Sequence, residues 1–376
     1  MLALENKAVQ ADDLLDRAAE EMQLDQTRYQ RMLSAYNSVK EWVEADEKFF
    51  KPYHYDVYPH GSVRILTTVK PIGRNEFDLD IVIHLRSGLA SHTPEKIYRE
   101  LKRRLEEHET YKKMLEPKNR CLRLNYAGDF HMDILSGVQE YDSDANRLLV
   151  PDRELGRWVS SNPRGYADWF LQKANMVEVS LLEKALRAEA LPADDFRNKK
   201  PLQRAVQLVK RYRDIYFEKN DEYKTSSIVL TTIAGQFYAG QASIFDTIDH
   251  IVSTIVQKVN STFSRIKVLN PVNPQEDFTD KWDREPGYYD AFKNFSIHLY
   301  KQWQELKRGQ GIIKEGAILK DLFGDDLIIR AQNAHTNGIE NYRNKGSLSI
   351  NRSTGILTSV ASTLSSKMPF NTFYGD

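Results

Sequence analysis

Polar and apolar residues alternate most regularly between Phe77 and Leu85. Apolar residues occupy every odd position of this segment, whereas Asp78, Asp80 and His84 stand at even positions. Because successive side chains of a strand point to opposite faces, the pattern predicts a strand with both carboxylates on one face. Two shorter apolar stretches, 121–126 and 130–135, also predict strands, and the second of them contains Asp133.

Helical spacing dominates elsewhere. Asp25 is a candidate N-cap for a helix whose apolar residues recur at intervals of three and four, namely Tyr29, Met32, Leu33, Tyr36, Val39 and Val43. After Asp133 the strand signals fade, and the spacing predicts helices over 167–186, 202–216, 228–238, 248–259 and 288–306. The chain is therefore expected to be an α+β protein in which a mixed sheet precedes a helical lobe.

We divide the chain into three parts on this basis. Residues 1–165 are the predicted sheet-containing core with its N-terminal helix, and 166–346 are the predicted helical lobe. Residues 347–376 are rich in Ser, Thr, Asn and Gly, so we expect a loosely packed tail.

Three carboxylates suggest a metal site. Asp78 and Asp80 would share one strand face, and Asp133 lies in a second predicted strand. Oxygen ligands of this kind suit Mg²⁺, with Mn²⁺ as an alternative, and two such ions held roughly 3.5 to 4 Å apart catalyse phosphoryl transfer. A solvated edge strand with two outward aspartates would explain the first pair equally well.

A Gly-Ser pair precedes the acidic strand. Gly61 and Ser62 follow Pro59, which we take as a turn, and the next residues could open a short helix. Glycine allows close backbone approach to a ligand, and the free N–H groups of a helix start bind phosphate. The same pair is common in ordinary turns.

Three further residues are candidate phosphate contacts in the helical half. Lys210 lies beside the apolar stripe of the helix predicted at 202–216, and Ser226 and Ser227 precede the one at 228–238. Lysine acts as a point charge on phosphates, and a serine at a helix start leaves N–H groups free for them. A solvated lysine and plain helix capping are the competing interpretations.

Two histidines lie near the carboxylates in sequence. His84 ends the acidic strand and His131 is two residues before Asp133. Imidazole suits zinc-like ions, whereas Mg²⁺ requires oxygen ligands, so we assign packing or supporting roles to both.

Composition limits the class of partner. The 376 residues contain 53 Lys and Arg against 53 Asp and Glu, so no overall basic field attracts nucleic acid. Cys121 is the only cysteine, which excludes an internal disulfide and a cysteine-rich zinc site. No apolar run approaches the ~20 residues of a membrane span, and no secretory signal pattern is present. We expect a cytoplasmic protein with no membrane partner.

Several motifs together carry a family resemblance. They are Gly61-Ser62, 67–74, Glu76-Phe77-Asp78-Leu79-Asp80, His131-Met132-Asp133-Ile134, 161–166, 202–211, 226–232 and 270–274 before Trp282. This pattern resembles the polymerase-β-like nucleotidyltransferases. Within them it is similar to the bacterial CD-NTases, relatives of cyclic GMP-AMP synthase and oligoadenylate synthase that make cyclic oligonucleotide signals in anti-phage (CBASS) defence. The resemblance runs from about 53 to 282.

The resemblance implies a bilobal, oligoadenylate-synthase-like fold in which the Asp25-capped helix is the spine joining the lobes. It also implies roles for the candidate residues. Asp78 and Asp80 would hold both Mg²⁺ ions, and Asp133 the ion at the attacking hydroxyl. Gly61 and Ser62 would grip the donor phosphates, and the order of a lysine helix followed by a serine-capped helix places Lys210, Ser226 and Ser227 at the same nucleotide.

The implied activity is condensation of nucleoside triphosphates (ATP, GTP or pyrimidine nucleotides) into a cyclic di- or trinucleotide, with release of pyrophosphate. Ancillary defence proteins would be partners. Since the zinc-binding insertion of the animal DNA-sensing relative is missing, we expect no duplex nucleic acid activator. The alternatives are a non-cyclising transferase acting on RNA, a protein or a small molecule, and a non-catalytic nucleotide-binding scaffold.

Overall fold

The computed structural model describes residues 2–73, 75–86, 92–141, 143–154, 156–177, 196–262, 264–309, 311–351, 357–358 and 365–368. The helices are α1 (Leu2–Glu21), α2 (Gln26–Glu44), α3 (Gly61–Arg64), α4 (Pro94–Glu106), α5 (Glu109–Met114), α6 (Pro163–Ala174), α7 (Pro201–Tyr216), α8 (Ser227–Phe237), α9 (Ile244–Ser261), α10 (Lys281–Arg284), α11 (Gly287–Lys307), α12 (Ile312–Phe323) and α13 (Asp325–Asn344). The strands are β1 (Tyr55–His60), β2 (Phe77–Leu85), β3 (Leu115–Pro117), β4 (Leu122–Tyr126), β5 (Phe130–Tyr141), β6 (Asp144–Asp152), β7 (Arg157–Ser161), β8 (Leu269–Asn270), β9 (Asn273–Asp277), β10 (Ser349–Asn351), β11 (Leu357–Thr358) and β12 (Ser365–Lys367).

Within the described ranges, β1 to β7 form one mixed sheet in the order β1-β2-β5-β4-β3, with β6 paired to β5 and β7 paired to β6. The pairing of β2 with β5 is parallel, and β1 and β4 flank this pair in antiparallel fashion. The inner strands β2 and β5 carry the acidic residues, so the sheet places those residues at its centre. The predicted α+β class with a mixed sheet is confirmed.

The three predicted strands are confirmed as β2, β4 and β5, although β5 continues to Tyr141. Two predictions are wrong. Pro59 lies inside β1 and not in a turn; β1 is an edge strand, where a residue without an N–H is tolerated. Strand structure also continues after Asp133 in β6 and β7. Every residue of β7 is half-buried or exposed, which explains why it lacks a clear apolar alternation.

One face of the sheet carries the first apolar core. Side chains of β2, β4 and β5 pack there against α2, α4 and α5, and Met32, Tyr36, Val39 and Val43 of α2 are buried in it. The Asp25 side chain accepts a hydrogen bond from the backbone N–H of Arg28 at 2.9 Å, so the predicted N-cap is confirmed. The helices α4 and α5 lie outside the segments for which helical spacing was recognised.

The second core belongs to the helical lobe, where α7 packs against α1, α8, α9 and α12. The described part of α1 contributes Leu15, Ala18, Ala19 and Met22 to this core. The sequence division grouped these residues with the sheet. Instead, α1 packs in the core of the helical lobe and ends before Asp25, whereas α2 packs in the core against the sheet. The two helices together therefore connect the lobes.

The remaining predicted helices match α7, α8, α9 and α11 closely. The helix predicted over 167–186 begins earlier, at Pro163, and its α-helical part ends at Ala174; residues 178–195 lie outside the described residues. In the tail, β10 pairs with β11 and β12. Most of 352–376 lies outside the described residues, so the loosely packed tail stays a prediction. None of the described helices is both long and apolar enough to cross a bilayer.

Candidate active site

The parallel pairing of β2 with β5 brings the three aspartates to one face of the sheet. In the register, Asp80 is opposite Asp133 and Asp78 is opposite His131. The intervening Leu79 and Ile81 are fully buried on the other face. The alternation read from the sequence therefore produces the expected acidic cluster.

These carboxylates repel one another in a partly dry environment. Burial, together with the negative charges of Asp78 and Asp133, raises the pKa of Asp80 to about 8, although Lys210 and Arg123 oppose the effect. Burial also raises the pKa of Asp78, with Arg123 opposing and Asp133 adding to the effect. An uncompensated negative charge of this kind favours a bound cation.

Arg123 is a site residue that sequence reasoning missed. It lies opposite Asp133 on β4, and its Nε and Nη2 atoms donate to the two carboxylate oxygens of Asp133 at 2.7 and 2.8 Å. Its Nη2 also lies 3.4 Å from an Asp78 oxygen. Among the residues described, no three histidine, cysteine or carboxylate side chains already converge as ligands of one metal ion. Instead, the Arg123 guanidinium forms hydrogen bonds with both oxygens of Asp133, the third carboxylate.

Gly61 packs directly against the acidic cluster. Its φ of +60° lies in the left-handed region, and an added Cβ would be 2.1 Å from Oδ2 of Asp80. Any other residue would collide with that carboxylate, so the position requires glycine. Ser62 follows in α3, and its hydroxyl is 3.2 Å from the Thr68 hydroxyl. The Gly-Ser pair therefore belongs to the site and is not a remote turn.

Lys210 is buried and not a solvated helix lysine. Its Nζ donates to the carbonyl and the hydroxyl of Thr67 at 3.1 and 3.0 Å. Burial lowers its pKa to about 7; the nearby Arg213 adds to this, and Asp80 opposes it. The Lys210 amine is thus poised to gain a proton, and with it a positive charge, when an anion enters.

The two serines differ in position. Ser227 lines the same cavity as Lys210, and its hydroxyl accepts a hydrogen bond from Arg213. Ser226 is the N-cap residue of α8 but makes no side-chain capping bond, and it is not among the residues that line the cavity. The structure brings Ser227, but not Ser226, to the cavity wall.

A cavity of about 760 Å³ joins these groups between the lobes. One part of its wall carries Gly61, Ser62, Asp78, Asp80, Lys210 and Ser227. Another part is formed by β7, α6 and the β8–β9 hairpin, with Ser161, Tyr166, Asn270, Glu276 and Phe278. The cavity thus combines an acidic and cationic wall suited to metal and phosphate with a second wall of aromatic and neutral polar groups that also carries the Glu276 carboxylate.

The histidines take supporting positions, as expected. His84 is fully buried, and burial lowers its pKa to about 3. The Nδ1 atom of His131 lies 3.0 Å from a carboxylate oxygen of Glu76. A third histidine, His60, lines the cavity beside Gly61, and burial lowers its pKa to about 4. The low pKa values of His60 and His84 keep both uncharged near neutral pH, and His131 pairs with Glu76.

Comparison with known proteins gives the family. A model of the Second Messenger Oligonucleotide or Dinucleotide Synthetase domain matches residues 9–175. The chain is also 41% identical to a protein named c-di-GMP synthase from Roseivirga ehrenbergii, over 100% of both chains. The chain belongs to this synthetase family. It is therefore a nucleotidyltransferase of the class that makes oligonucleotide or dinucleotide second messengers.

Solved structures of CD-NTases share the fold. CdnG of Bradyrhizobium diazoefficiens in complex with GTP superposes with a TM-score of 0.70 at 21% identity, covering 87% of this chain and 99% of that one. CdnC of Escherichia coli with ATP gives a TM-score of 0.63 at 12% identity, covering 84% and 98%. These likenesses confirm the bilobal CD-NTase architecture of the chain.

Proposed function

We propose that this CD-NTase condenses two molecules of GTP into a cyclic dinucleotide and releases two molecules of pyrophosphate. The main support is the full-length relative named c-di-GMP synthase, at 41% identity. In each step a ribose hydroxyl attacks the α-phosphorus of a triphosphate, loses its proton and displaces pyrophosphate. The second step joins the ends of the linear intermediate, so the ring carries no terminal phosphate.

The acidic cluster fits a pair of Mg²⁺ ions, or Mn²⁺, in three respects. The donors are oxygens, the register places them on one face, and burial together with the repulsion between neighbouring carboxylates raises the pKa values of Asp78 and Asp80. When bound, the ions would neutralise charge on the reacting phosphate and favour deprotonation of the attacking hydroxyl. Asp78 and Asp80 would hold both ions, and Asp133 would join them once Arg123 releases it.

The protein side chains bind and position the triphosphate. The backbone at Gly61, which lies against Asp80, and the Ser62 hydroxyl, which lies 3.2 Å from the Thr68 hydroxyl, would hold the donor phosphates. Lys210 supplies a buried positive charge to the same groups, and Ser227 a hydroxyl from the start of α8. Ser226 is not proposed as a contact, because it does not line the cavity.

The biological setting is also part of the proposal. Anti-phage (CBASS) defence, ancillary defence proteins and a cytoplasmic location follow from the family resemblance. We propose control by such a partner and not by duplex nucleic acid, since the formal net charge is zero. Measuring the synthesis rate with long duplex DNA and RNA across a salt series tests this. Strong stimulation that fades as salt rises would reveal a basic groove and contradict the proposal.

The activity is tested with purified protein and labelled nucleotides. GTP alone with Mg²⁺ should give a product that resists phosphatase, with two pyrophosphates released per product, and a chelator should abolish it. ATP, CTP and UTP, alone and mixed with GTP, are the matched controls. Products that all lose label to phosphatase would support the non-cyclising alternative, and no turnover would support the scaffold.

A further inference from the structure

The mechanism above does not use the wall of the cavity formed by β7 and the β8–β9 hairpin. Its most unusual member is Glu276, a carboxylate on β9 that lines the cavity while most of its surface is covered. The neighbouring Ser161, Asn270 and Phe278 line the same cavity. A half-buried carboxylate in a ligand cavity calls for a function, because removing a charged group from water costs free energy.

Neutral donors hold the Glu276 carboxylate in place. The Ser161 hydroxyl donates to Oε1 at 3.1 Å, and the Asn270 amide donates to Oε2 at 2.7 Å. Arg120, which also lines the cavity, pairs with the buried Asp152 at 2.7 Å, and its charge acts on Glu276 without a hydrogen bond between the two among the residues that the structure describes. Each Glu276 oxygen thus has one side-chain donor, and the backbone N–H of Asn162 also donates to this carboxylate. The three donors fix the two oxygens side by side at the cavity wall, and they leave part of the acceptor capacity of the carboxylate for a ligand.

Only one nucleobase matches two adjacent acceptors. Guanine carries the N1–H and N2–H₂ donors next to each other on its Watson–Crick edge, so a carboxylate can accept from both. Adenine and cytosine offer one amino group beside an acceptor nitrogen, which would face a carboxylate oxygen and be repelled. The flanking Tyr166 and Phe278 rings, with centroids 5.9 Å apart, supply the apolar surface that a flat base requires.

We propose that Glu276 is the residue that selects guanine, by accepting hydrogen bonds from N1–H and N2–H₂ of a GTP bound in the cavity. Ser161 and Asn270 act as positioning residues that fix the carboxylate. This inference rests on the proposed function and deepens it, since it names the substrate base from the chemistry of the wall. The inference does not depend on the metal site, because Glu276 and the acidic cluster belong to different parts of the cavity wall.

The first experiment changes the ligand and leaves the chain intact. Equilibrium binding to wild-type protein is measured without divalent cation for GTP, ITP, ATP and CTP. ITP lacks only the 2-amino group, so it should bind about 10-fold more weakly than GTP, and ATP and CTP more weakly still. Equal binding of GTP and ITP, or tighter binding of CTP, would overturn the assignment.

The second experiment changes the acceptor pair. Glu276→Gln presents one acceptor and one donor, which matches the amino group and N1 of adenine. We expect GTP affinity to fall about 10- to 100-fold, the GTP-to-ITP ratio to approach 1, and the ATP affinity to rise. If Glu276 only links β7 to the hairpin, Glu276→Gln and the control Ser161→Ala will lower Tm and weaken all four nucleotides by the same factor, which would overturn the inference.

Failure of the proposed function has a different signature. If the wild-type protein binds GTP more tightly than ITP but forms no cyclic product from GTP, the guanine-selecting role of Glu276 stands and the synthase proposal fails. If the protein forms cyclic products but binds GTP and ITP equally, the synthase proposal stands and the proposed role of Glu276 fails. The two proposals are thus separated by binding on one side and product analysis on the other.

Discussion

Lys210 should take up a proton when a nucleoside triphosphate binds. Burial lowers its pKa to about 7, against an ordinary value of 10.5, so near neutral pH only part of the free protein carries the charge. An anionic triphosphate in the same cavity favours the charged form and raises the pKa again. Binding and protonation are therefore linked.

The size of the effect follows from these values. At ~1.36 kcal/mol per pKa unit, a full return to the ordinary value corresponds to about 5 kcal/mol of interaction with the ligand. With a starting pKa of about 7, binding at pH 8 should take up about 0.9 proton, and binding at pH 6 about 0.1. Below pH 7 the lysine is already charged, whereas above pH 7 affinity should fall by up to about tenfold per pH unit.

Calorimetric titration with a non-hydrolysable GTP analogue, in buffers of different ionisation enthalpy and without divalent cation, measures the uptake directly. Lys210→Met should remove the larger part of the uptake at pH 8. A smaller part remains, because the bound anion also raises the pKa of Asp80, which is about 8 in the free protein. The control is Lys307→Met, which removes a partly exposed lysine paired with Asp249 at 2.8 Å outside the cavity and should leave uptake unchanged. Equal proton uptake by wild type and Lys210→Met at pH 8 would refute the assignment.

The same titration has a consequence for folding. The unfolded chain keeps the Lys210 proton up to about pH 10.5, whereas the folded chain releases it near pH 7. Because the unfolded state then binds more protons, the free energy of unfolding should rise with pH between these values. The slope should flatten in Lys210→Met. A variant with lower Tm and an unchanged slope would indicate that the lysine serves only to hold Thr67.

Three further changes test the acidic cluster. Asp78→Asn combined with Asp80→Asn should abolish product formation while Tm stays equal or rises, because the pair loses its mutual repulsion; turnover near the wild-type rate would end the metal assignment. Arg123→Met should lower the Mg²⁺ concentration for half-maximal activity several-fold, because the third carboxylate loses a competing cation; an unchanged or higher requirement argues the reverse. Gly61→Ala should abolish activity and lower Tm, because the added Cβ would lie 2.1 Å from Oδ2 of Asp80. The control is Gly73→Ala: its φ is +62° and nothing lies within 4 Å of an added Cβ, so this variant carries backbone strain alone and should keep activity. Similar losses of activity in both alanine variants would show that backbone strain, and not the collision with Asp80, causes the loss.

The acidic core of the site was predictable because its signal is local. Strict alternation around Asp78 and Asp80 specifies a strand and a face, and the same face receives Asp133 once β2 and β5 pair. The sequence predicted that the Gly61-Ser62 pair belongs to the site, but it did not predict why glycine is required there. Only the folded chain shows that Gly61 abuts the Asp80 carboxylate.

Other site residues depend on contacts that no local pattern encodes. Arg123 meets Asp133 across two antiparallel strands, and Glu276 meets Ser161 from 115 positions away. The strand β7 places Ser160 and Ser161 on the cavity wall, and none of its residues is fully buried, so it lacks the alternation by which strands are recognised. The placement of α1 in the helical core depends on packing against α13 and α9, far along the chain.

The helical lobe controls the geometry of the phosphate site through backbone carbonyls. From α7, Gln203 donates to the Ile65 carbonyl at 3.0 Å, Gln207 to that of Thr68 at 2.6 Å and Arg211 to that of Lys70 at 2.6 Å. Lys210 holds the carbonyl of Thr67 in the same row. Between the first two of these carbonyls lies Leu66, whose φ of +60° is costly for a residue with a Cβ. A strained loop persists only when its surroundings hold it, and here four side chains of one helix of the other lobe hold its carbonyl groups. Any movement of α7 relative to the sheet must therefore displace the segment that follows Gly61 and Ser62, which couples the packing of the helical lobe to the grip on the donor phosphates.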